Sequence, residues 1–308
     1  MNAKRVGMLF LGLVGLAWGA FADIEVPYTQ AMNVVYAEDY GVGLVMDVFT
    51  PSGKGIIAAY KPNDNGKGLG IVDVASGAWS SDRGKIEDHK TAKMYHVFCA
   101  RGYTVFAVRP GSESNFSGAE MLRNIHRGIR YVKCHASEYG VDPDRLGLCG
   151  ASAGGHLACL AAVKADDGDP QAKDPLMRLS TRVKAVGVFF PPTDFLNWDG
   201  KEAPLDKHAN LFIKGGFAGH TREEILAAAQ EMSPLHFVKP NLPPFMFFHG
   251  DADPLVPLQQ SQVMVAALKA AGDSADLFVK QGGGHPWLTI PEEIVTLADW
   301  FDGQLGAK

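Results

Sequence analysis

Short apolar runs alternate with longer amphipathic stretches along most of the chain, from residue 69 onward. The runs are rich in β-branched and aromatic residues and predict buried strands at Leu69–Val74, Tyr103–Val108, Leu146–Cys149, Val183–Phe190, Phe245–His249 and Leu277–Lys280. Apolar positions at helical spacing predict helices at Asp88–Arg101, Ala119–Tyr139, Ala153–Lys164, Arg222–Glu231, Gln259–Ala271 and Glu292–Leu305. Strands separated by helices of this length predict an α/β fold with a doubly wound, mostly parallel sheet.

Two parts of the chain depart from this alternation. Ahead of it, Asn33–Tyr36 and Leu44–Phe49 are predicted to be short strands, with a further strand signal at Ile56–Tyr60. Later, Pro191–Leu235 interrupts the pattern with two aromatics, a Gly-Gly pair and one helix. Because this excursion follows the carboxyl end of a strand, where ligands bind in such sheets, a lid is expected there. We therefore predict one domain over residues 23–308, with an excursion over about 191–235.

The amino terminus predicts export. Lys4 and Arg5 precede an apolar run, Val6–Gly19, and Ala20-Phe21-Ala22 supplies small residues at the positions that signal peptidase requires. The run is shorter than the roughly 20 residues of a spanning helix, so cleavage after Ala22 is expected, and no membrane anchor in the mature chain. This predicts a secreted or periplasmic protein. The chain of 308 residues has a net charge of −5, which argues against a nucleic-acid partner.

Four cysteines would then enter a compartment that permits disulfides. Cys99, Cys134 and Cys159 lie in helical patterns among apolar neighbours, and Cys149 directly precedes a Gly-rich turn. Free cysteine behaves as a small buried hydrophobe, so no disulfide is expected. No paired-cysteine or His-rich spacing suggests zinc, and no metal or organic cofactor is predicted.

The strongest chemical signal is Gly150-Ala151-Ser152-Ala153-Gly154, between a predicted strand and a predicted helix. In this context G-x-S-x-G forms a sharp turn that exposes a nucleophilic serine above the sheet. The amino terminus of the helix offers backbone N–H groups to developing negative charge. Ser152 is the predicted nucleophile, and an ordinary strand–helix turn is the alternative interpretation.

A serine nucleophile needs a base, and the base needs an acid to orient it. His285, in a Gly-rich loop after the last strand, is the predicted base, with His249 as the alternative. Asp253 is the predicted acid, because the following proline favours a fixed loop. Asp251 is expected to bond the turn backbone instead, and Asp194 is a third possibility. Three further histidines are expected on the surface of the excursion: His208, His220 and His236.

Together these segments resemble the α/β-hydrolase superfamily, in particular its lipase/esterase branch of secreted carbohydrate esterases, of acetyl-xylan and feruloyl-esterase type. The matching segments are Tyr139–Leu146, Gly150–Leu157, Ser233-Pro234-Leu235, His249–Pro257 and Gly283-Gly284-His285. The resemblance implies an oxyanion loop after the first long parallel strand, where Ala75-Ser76-Gly77-Ala78-Trp79 replaces the usual His-Gly-Gly-Gly-Trp. By position, the N–H groups of Gly77, Ala78 and Ala153 would form the oxyanion hole.

The sequence thus predicts an exported serine carboxylic-ester hydrolase acting through an acyl-enzyme. Fold-level analogy suggests small-molecule esters or acyl groups of plant polysaccharides as substrates. One alternative is a serine exopeptidase of prolyl-oligopeptidase type, although such enzymes usually add a large gating domain. The other is a non-catalytic binding protein on a hydrolase scaffold, which the altered oxyanion loop would favour.

Overall fold

A computed structural model of the protein describes residues 26–52 and 68–306. One eight-stranded sheet runs through these residues in the order β1-β2-β4-β3-β5-β6-β7-β8. The strands are β1 Tyr28–Asp39, β2 Val42–Pro51, β3 Gly70–Val74, β4 Thr104–Val108, β5 Leu146–Ala151, β6 Ala185–Phe189, β7 Phe245–Gly250 and β8 Ala275–Lys280. β2 is antiparallel to both β1 and β4, and all other neighbours are parallel. The predicted mostly parallel sheet is therefore present.

Helices connect the strands and cover both faces of the sheet. They are α1 Arg83–Thr91, α2 Met94–Ala100, α3 Gly118–Cys134, α4 Ala153–Val163, α5 Ala209–Phe212, α6 Arg222–Glu231, α7 Gln259–Ala270 and α8 Ile290–Gly306. Two clusters of buried apolar side chains, one on each face, form the core. Among the described residues, no helix combines the length and hydropathy that crossing a bilayer would require.

The helix predicted at Asp88–Arg101 is wrong as a single element. The chain forms α1 and α2 instead, and Lys93 between them adopts a left-handed conformation with φ of 66°. A lysine carries no signal for such a break, because glycine is the residue that usually occupies this region. The predicted helix Ala119–Tyr139 ends five residues early, at Cys134, where tight turns take over. The predictions for Ile56–Tyr60 and for residues 1–22 lie outside the described residues.

A buried carboxylate fastens the amino-terminal hairpin to the first helix. Asp47, on β2, has no solvent exposure and accepts two hydrogen bonds from the Arg83 guanidinium, at 2.8 and 3.2 Å. It also accepts bonds from the Asn33 amide at 3.0 Å and from the Gln30 side chain at 2.7 Å. Arg83 opens α1, so this cluster fixes the position of α1 beside the sheet.

Glu120 connects the excursion to the rest of the fold. It forms a capping box with Ser117 at the start of α3 and accepts hydrogen bonds from Tyr40, at 2.5 Å, and Lys214, at 2.7 Å. Burial alone would raise the pKa of Glu120, but the bonds from Lys214, Tyr40 and Ser117 outweigh it and lower the pKa to about 2. Ionised Glu120 therefore joins the hairpin turn, α3 and the excursion.

The four cysteine thiols are free. Cys99, Cys149 and Cys159 are buried, as the apolar pattern predicts. For Cys134 the expected burial is wrong, because this residue lies in the last turn of α3 and is exposed.

Candidate active site

The turn between β5 and α4 places Ser152 at the carboxyl end of β5. Ser152 has φ of 53° and ψ of −121°, a strained conformation that turns the chain sharply into the helix. The glycines on either side allow this close approach. A Cβ on Gly150 would lie 2.6 Å from the Gly154 backbone, and a Cβ on Gly154 would lie 2.2 Å from the Val74 carbonyl oxygen. Both positions therefore exclude any side chain.

The structure brings Ser152, His285 and Asp253 into one line of hydrogen bonds. The Ser152 hydroxyl lies 2.9 Å from His285 Nε2, and His285 Nδ1 lies 2.6 Å from Asp253 Oδ2. The three residues come from the ends of β5, β8 and β7, which are the carboxyl ends of strands in the parallel part of the sheet. The Phe190 ring packs against the His285 imidazole at 4.3 Å between centroids and limits its rotation.

Asp253 is held as an ionised carboxylate. Its side chain has no solvent exposure, and Oδ1 accepts the Leu255 and Val256 amides at 2.8 and 2.9 Å. Burial would raise the pKa of Asp253, but the hydrogen bonds from His285 and from these amides lower it below its usual value. An anionic Asp253 can therefore fix the Nδ1–H tautomer of His285 and stabilise its protonated form.

The alternative residues take other roles. His249 is fully buried between the Ser261 hydroxyl, at 2.7 Å, and the Val256 carbonyl, at 2.9 Å, and burial lowers its pKa. It thus supports the loop that carries Asp253. Asp251 accepts the Gly282 amide at 2.6 Å, and Asp194 accepts the Leu196 amide at 2.9 Å.

The segment after β3 forms a tight turn. Gly77 and Ser80 exchange both backbone hydrogen bonds at 2.9 Å, and the central residues Ala78 and Trp79 have φ of 47° and 54°. Positive φ at both central positions defines a type I′ turn, which strongly favours glycine or asparagine. Because the Gly77 amide donates to Ser80, the expectation that Gly77 contributes to the oxyanion hole is corrected. Among the described residues, the amides of Ala78 and Ala153 have no protein acceptor.

A buried histidine anchors this turn. The Trp79 indole N–H donates to His156 Nδ1 at 3.0 Å, and His156 Nε2 donates to the Met232 carbonyl at 2.7 Å. His156 lies one turn after Ser152 on α4 and has no solvent exposure, and burial lowers its pKa to about 4. This contact was not predicted, although the sequence does show a histidine at the fourth position after the serine. Nothing in the sequence connects that histidine to Trp79.

A cavity of about 840 Å³ adjoins the Ser152 side chain. One wall comes from the excursion, where Phe195 and Trp198 stack at 6.1 Å, and His208 borders it as well. The surface position expected for His208 is confirmed only in part: 25% of its side chain is exposed, and the imidazole bonds Glu113 at 2.9 Å and packs on Trp79 at 4.5 Å. The opposite wall comes from α1, the segment joining α1 to α2, and the start of α8. Across residues 26–52 and 68–306, no cluster of three His, Cys, Asp or Glu side chains suits a metal ion.

Comparison with known proteins finds a matching family model and several curated relatives. Residues 58–268 match the family model described as BD-FAE. A probable carboxylic ester hydrolase of Mycobacterium tuberculosis, LipM, is 28% identical over 201 residues, covering 65% of this chain and 44% of its own length. The chain spans about half the length of LipM and of two further mycobacterial relatives, the esterases LipQ and LipC.

Solved structures are similar over almost the whole chain. A truncated carbohydrate esterase from gut microbiota superposes with a TM-score of 0.74 at 25% identity, covering 92% of this chain and 99% of that one. An esterase of the planctomycete Thermogutta terrifontis, Est2, solved with propionate, gives 0.65 at 25% identity over 90% and 94% of the two chains. These comparisons confirm the predicted α/β-hydrolase fold of esterase type.

Proposed function

Since this chain belongs to the BD-FAE family of α/β-hydrolases, we propose that it is a serine carboxylic-ester hydrolase. The observation that carries the proposal is the continuous hydrogen-bonded line Ser152–His285–Asp253 at the edge of a large cavity. Nucleophile, base and orienting acid stand at the distances that acyl transfer through a covalent intermediate requires. The esterase names of relatives and structural neighbours support the same reaction class.

In the proposed mechanism, Ser152 Oγ attacks the ester carbonyl while neutral His285 takes the hydroxyl proton at Nε2. Asp253 keeps the imidazole in its tautomer and stabilises the imidazolium. The amides of Ala78 and Ala153 donate to the oxyanion of the tetrahedral intermediate. His285 then returns the proton to the leaving alcohol, and an acyl group remains on Ser152. Water, activated by His285, releases the acid and restores the serine.

The cavity has room for an ester that carries a ring system in its acyl group or in its alcohol group. Its excursion wall is aromatic, with Phe195, Trp198 and Phe212 among the lining residues. Aromatic faces of this kind pack against sugar rings or phenolic acyl groups. We propose acylated carbohydrates as the substrate class, in line with the gut carbohydrate esterase to which the fold is similar.

The proposal is tested with an active-site probe and an ester panel. A fluorophosphonate should label the wild-type protein and leave Ser152→Ala unlabelled. Hydrolysis of 4-nitrophenyl acetate, acetylated xylan and methyl ferulate then ranks the substrates. Absence of labelling at Ser152 would favour a binding protein, and cleavage of a dipeptidyl nitroanilide faster than any ester would favour a peptidase.

We also propose export, which depends on the amino-terminal sequence alone. The pattern over residues 4–22 predicts a mature chain that begins at Asp23. Amino-terminal sequencing of the protein recovered from the periplasm or medium of an expressing bacterium should give this residue. Recovery of the uncut chain in the cytoplasm would contradict export and leave the catalytic proposal untouched.

A further inference from the structure

A second histidine–aspartate pair borders the cavity, and the proposed mechanism does not use it. Asp73 lies in the middle of β3 with no solvent exposure, and its Oδ2 accepts hydrogen bonds from His89 Nδ1 at 2.7 Å and from the Tyr95 hydroxyl at 2.8 Å. His89 is on α1 and lines the same cavity as Ser152. A fully buried carboxylate in the centre of a strand is destabilising unless it is paired, so Asp73 needs this partner.

The Asp73 carboxylate favours the protonated form of His89. Burial lowers the pKa of His89, but the Asp73 carboxylate outweighs burial and holds that pKa above its usual value. In the protonated form that Asp73 favours, His89 donates its Nδ1–H to Asp73. Its other N–H, on Nε2, has no acceptor within the described part of the chain, and the residue faces the cavity.

A lysine adds a second cation on the same face of α1. Lys85 lies one helical turn before His89 and also lines the cavity. Its side chain lies against the turn that follows β3, because a Cβ on Gly77 would be 2.9 Å from Lys85 Cδ. Asp88 lines the cavity as well and pairs with Lys85 at 3.3 Å. Because the Asp88 side chain is 68% exposed, this surface pair contributes little, and a substrate carboxylate can replace it.

This arrangement is unsuited to a second catalytic centre. The nearby thiol of Cys149, 3.7 Å from Asp73 Oδ1, is fully buried, and burial raises its pKa well above the usual value. A thiol held neutral in this way is not a nucleophile. The groups that remain to bind a ligand at this wall are the Lys85 ammonium and the Nε2 edge of His89, beside the turn that carries the Ala78 amide.

We propose that Lys85 and His89 form a subsite for a carboxylate carried by the ester substrate. The proposal rests on the proposed esterase function and narrows its substrate class to acidic esters. The carboxylate has two sources: the acyl half, as in half-esters of dicarboxylic acids, or the alcohol half, as in uronic acids that are acylated on a hydroxyl group and keep the carboxyl group free. A donated N–H and a neighbouring ammonium together match the two oxygens of a carboxylate.

Two matched ester pairs separate these sources. For the acyl half, mono-4-nitrophenyl glutarate is compared with 4-nitrophenyl methyl glutarate, its neutral methyl ester. For the alcohol half, 3-acetoxybenzoate is compared with methyl 3-acetoxybenzoate. The readout is the ratio of kcat/KM for acid over methyl ester within a pair, so any catalytic loss common to both esters cancels. We expect a ratio of about 10 or more in one pair, since hydrogen bonds to charged groups are stronger than those between neutral groups; a tenfold ratio corresponds to about 1.4 kcal/mol.

Substitutions then test whether Lys85 and His89 cause the preference for the acid over the methyl ester. His89→Gln and Lys85→Met should each reduce the ratio at least several-fold, and Lys85→Met leaves the Asp73–His89 pair intact if His89→Gln fails to fold. Lys207→Met is the matched control, because it removes a cation that lines the excursion side of the same cavity. It should leave the ratio unchanged.

Each outcome decides between the two proposals. Ratios near 1 in both pairs, with esters still hydrolysed, would overturn the subsite and keep the esterase. A preference that Lys207→Met abolishes and Lys85→Met does not would also overturn the subsite. Absence of hydrolysis of all four esters and of 4-nitrophenyl acetate would overturn the proposed function itself.

Discussion

Replacing His156 tests whether the strained turn after β3 determines the rate of the proposed reaction. Ala78 and Trp79 both have positive φ, and for residues other than glycine such conformations cost on the order of 1–3 kcal/mol each. The turn therefore needs external contacts to persist. The hydrogen bond from the Trp79 indole to His156 Nδ1 is one of them, and packing of the buried indole against His208 and Phe195 is another.

The expected size of the effect follows from these contacts. Trp79→Phe keeps a ring in the site but removes the indole N–H, worth about 1 kcal/mol, so kcat should fall about five- to tenfold. His156→Leu has a similar volume but leaves two buried groups unpaired, the indole N–H and the Met232 carbonyl. Once the turn relaxes and the Ala78 amide moves, the loss approaches that of one oxyanion donor, which is ~10²–10³ in kcat. We expect a loss of about 10² with KM within a few-fold.

The assay distinguishes a displaced Ala78 amide from a general loss of protein stability. The kcat on 4-nitrophenyl acetate should fall together with the affinity for a trifluoromethyl ketone, which forms an oxyanion on Ser152. His156→Gln offers an acceptor and a donor again and should return kcat to within about tenfold of wild type. Because burial lowers the pKa of His156 to about 4, the residue is neutral from pH 6 to 9, and the variant-to-wild-type ratio should be constant over that range.

A matched control comes from another buried histidine. His126 on α3 donates to the Ala161 carbonyl of α4 at 3.0 Å, a bond that involves no residue of the turn. His126→Leu should lower the melting temperature and leave kcat within about twofold. A folded His156→Leu with wild-type kcat would refute the reasoning. So would a loss of kcat without any loss of ketone affinity.

Three further predictions follow from other contacts. Asp253→Asn should lower kcat about 10⁴-fold with the fold intact, whereas Asp194→Asn should stay near wild type; the reverse result would reassign the acid. Gly154→Ala should abolish activity or folding, since the added Cβ would lie 2.2 Å from the Val74 carbonyl oxygen. A variant that is folded by circular dichroism and still hydrolyses 4-nitrophenyl acetate would contradict this. Glu120→Gln should reduce the free energy of unfolding by about 3 kcal/mol at pH 7. Because the pKa of Glu120 is lowered from 4.5 to about 2, that difference should persist above pH 5 and disappear as pH falls toward 2, as urea titrations at several pH values can measure.

The parts of the fold that the sequence predicts well are those governed by burial. β3 to β7 lie mostly inside the sheet, so their apolar runs are continuous, and each predicted strand differs from the observed one by a residue or two at its ends. β1 lies at the edge and leaves Met32 and Val35 exposed, which hides its full length of 12 residues. Where one face of a strand is exposed, its apolar residues no longer form a continuous run, so the sequence does not show where the strand begins and ends.

The candidate site also has one part that the sequence predicts and another that it does not. Ser152, Asp253 and His285 follow predicted strands, and chain order together with Gly-rich loops is enough to bring them forward as candidates. The turn at Ala78 and Trp79 is different, because its local sequence argues against the conformation it adopts. A type I′ turn without glycine at its centre is stabilised by a histidine on α4 and by the carbonyl of Met232 at the end of α6, more than seventy positions away in each step. Local propensity places positive φ at Gly77, whereas the tertiary contacts of the indole place it one and two residues later. The direction of the Ala78 amide, and with it the oxyanion hole that we propose, is therefore a property of the packed molecule rather than of the segment that contains it.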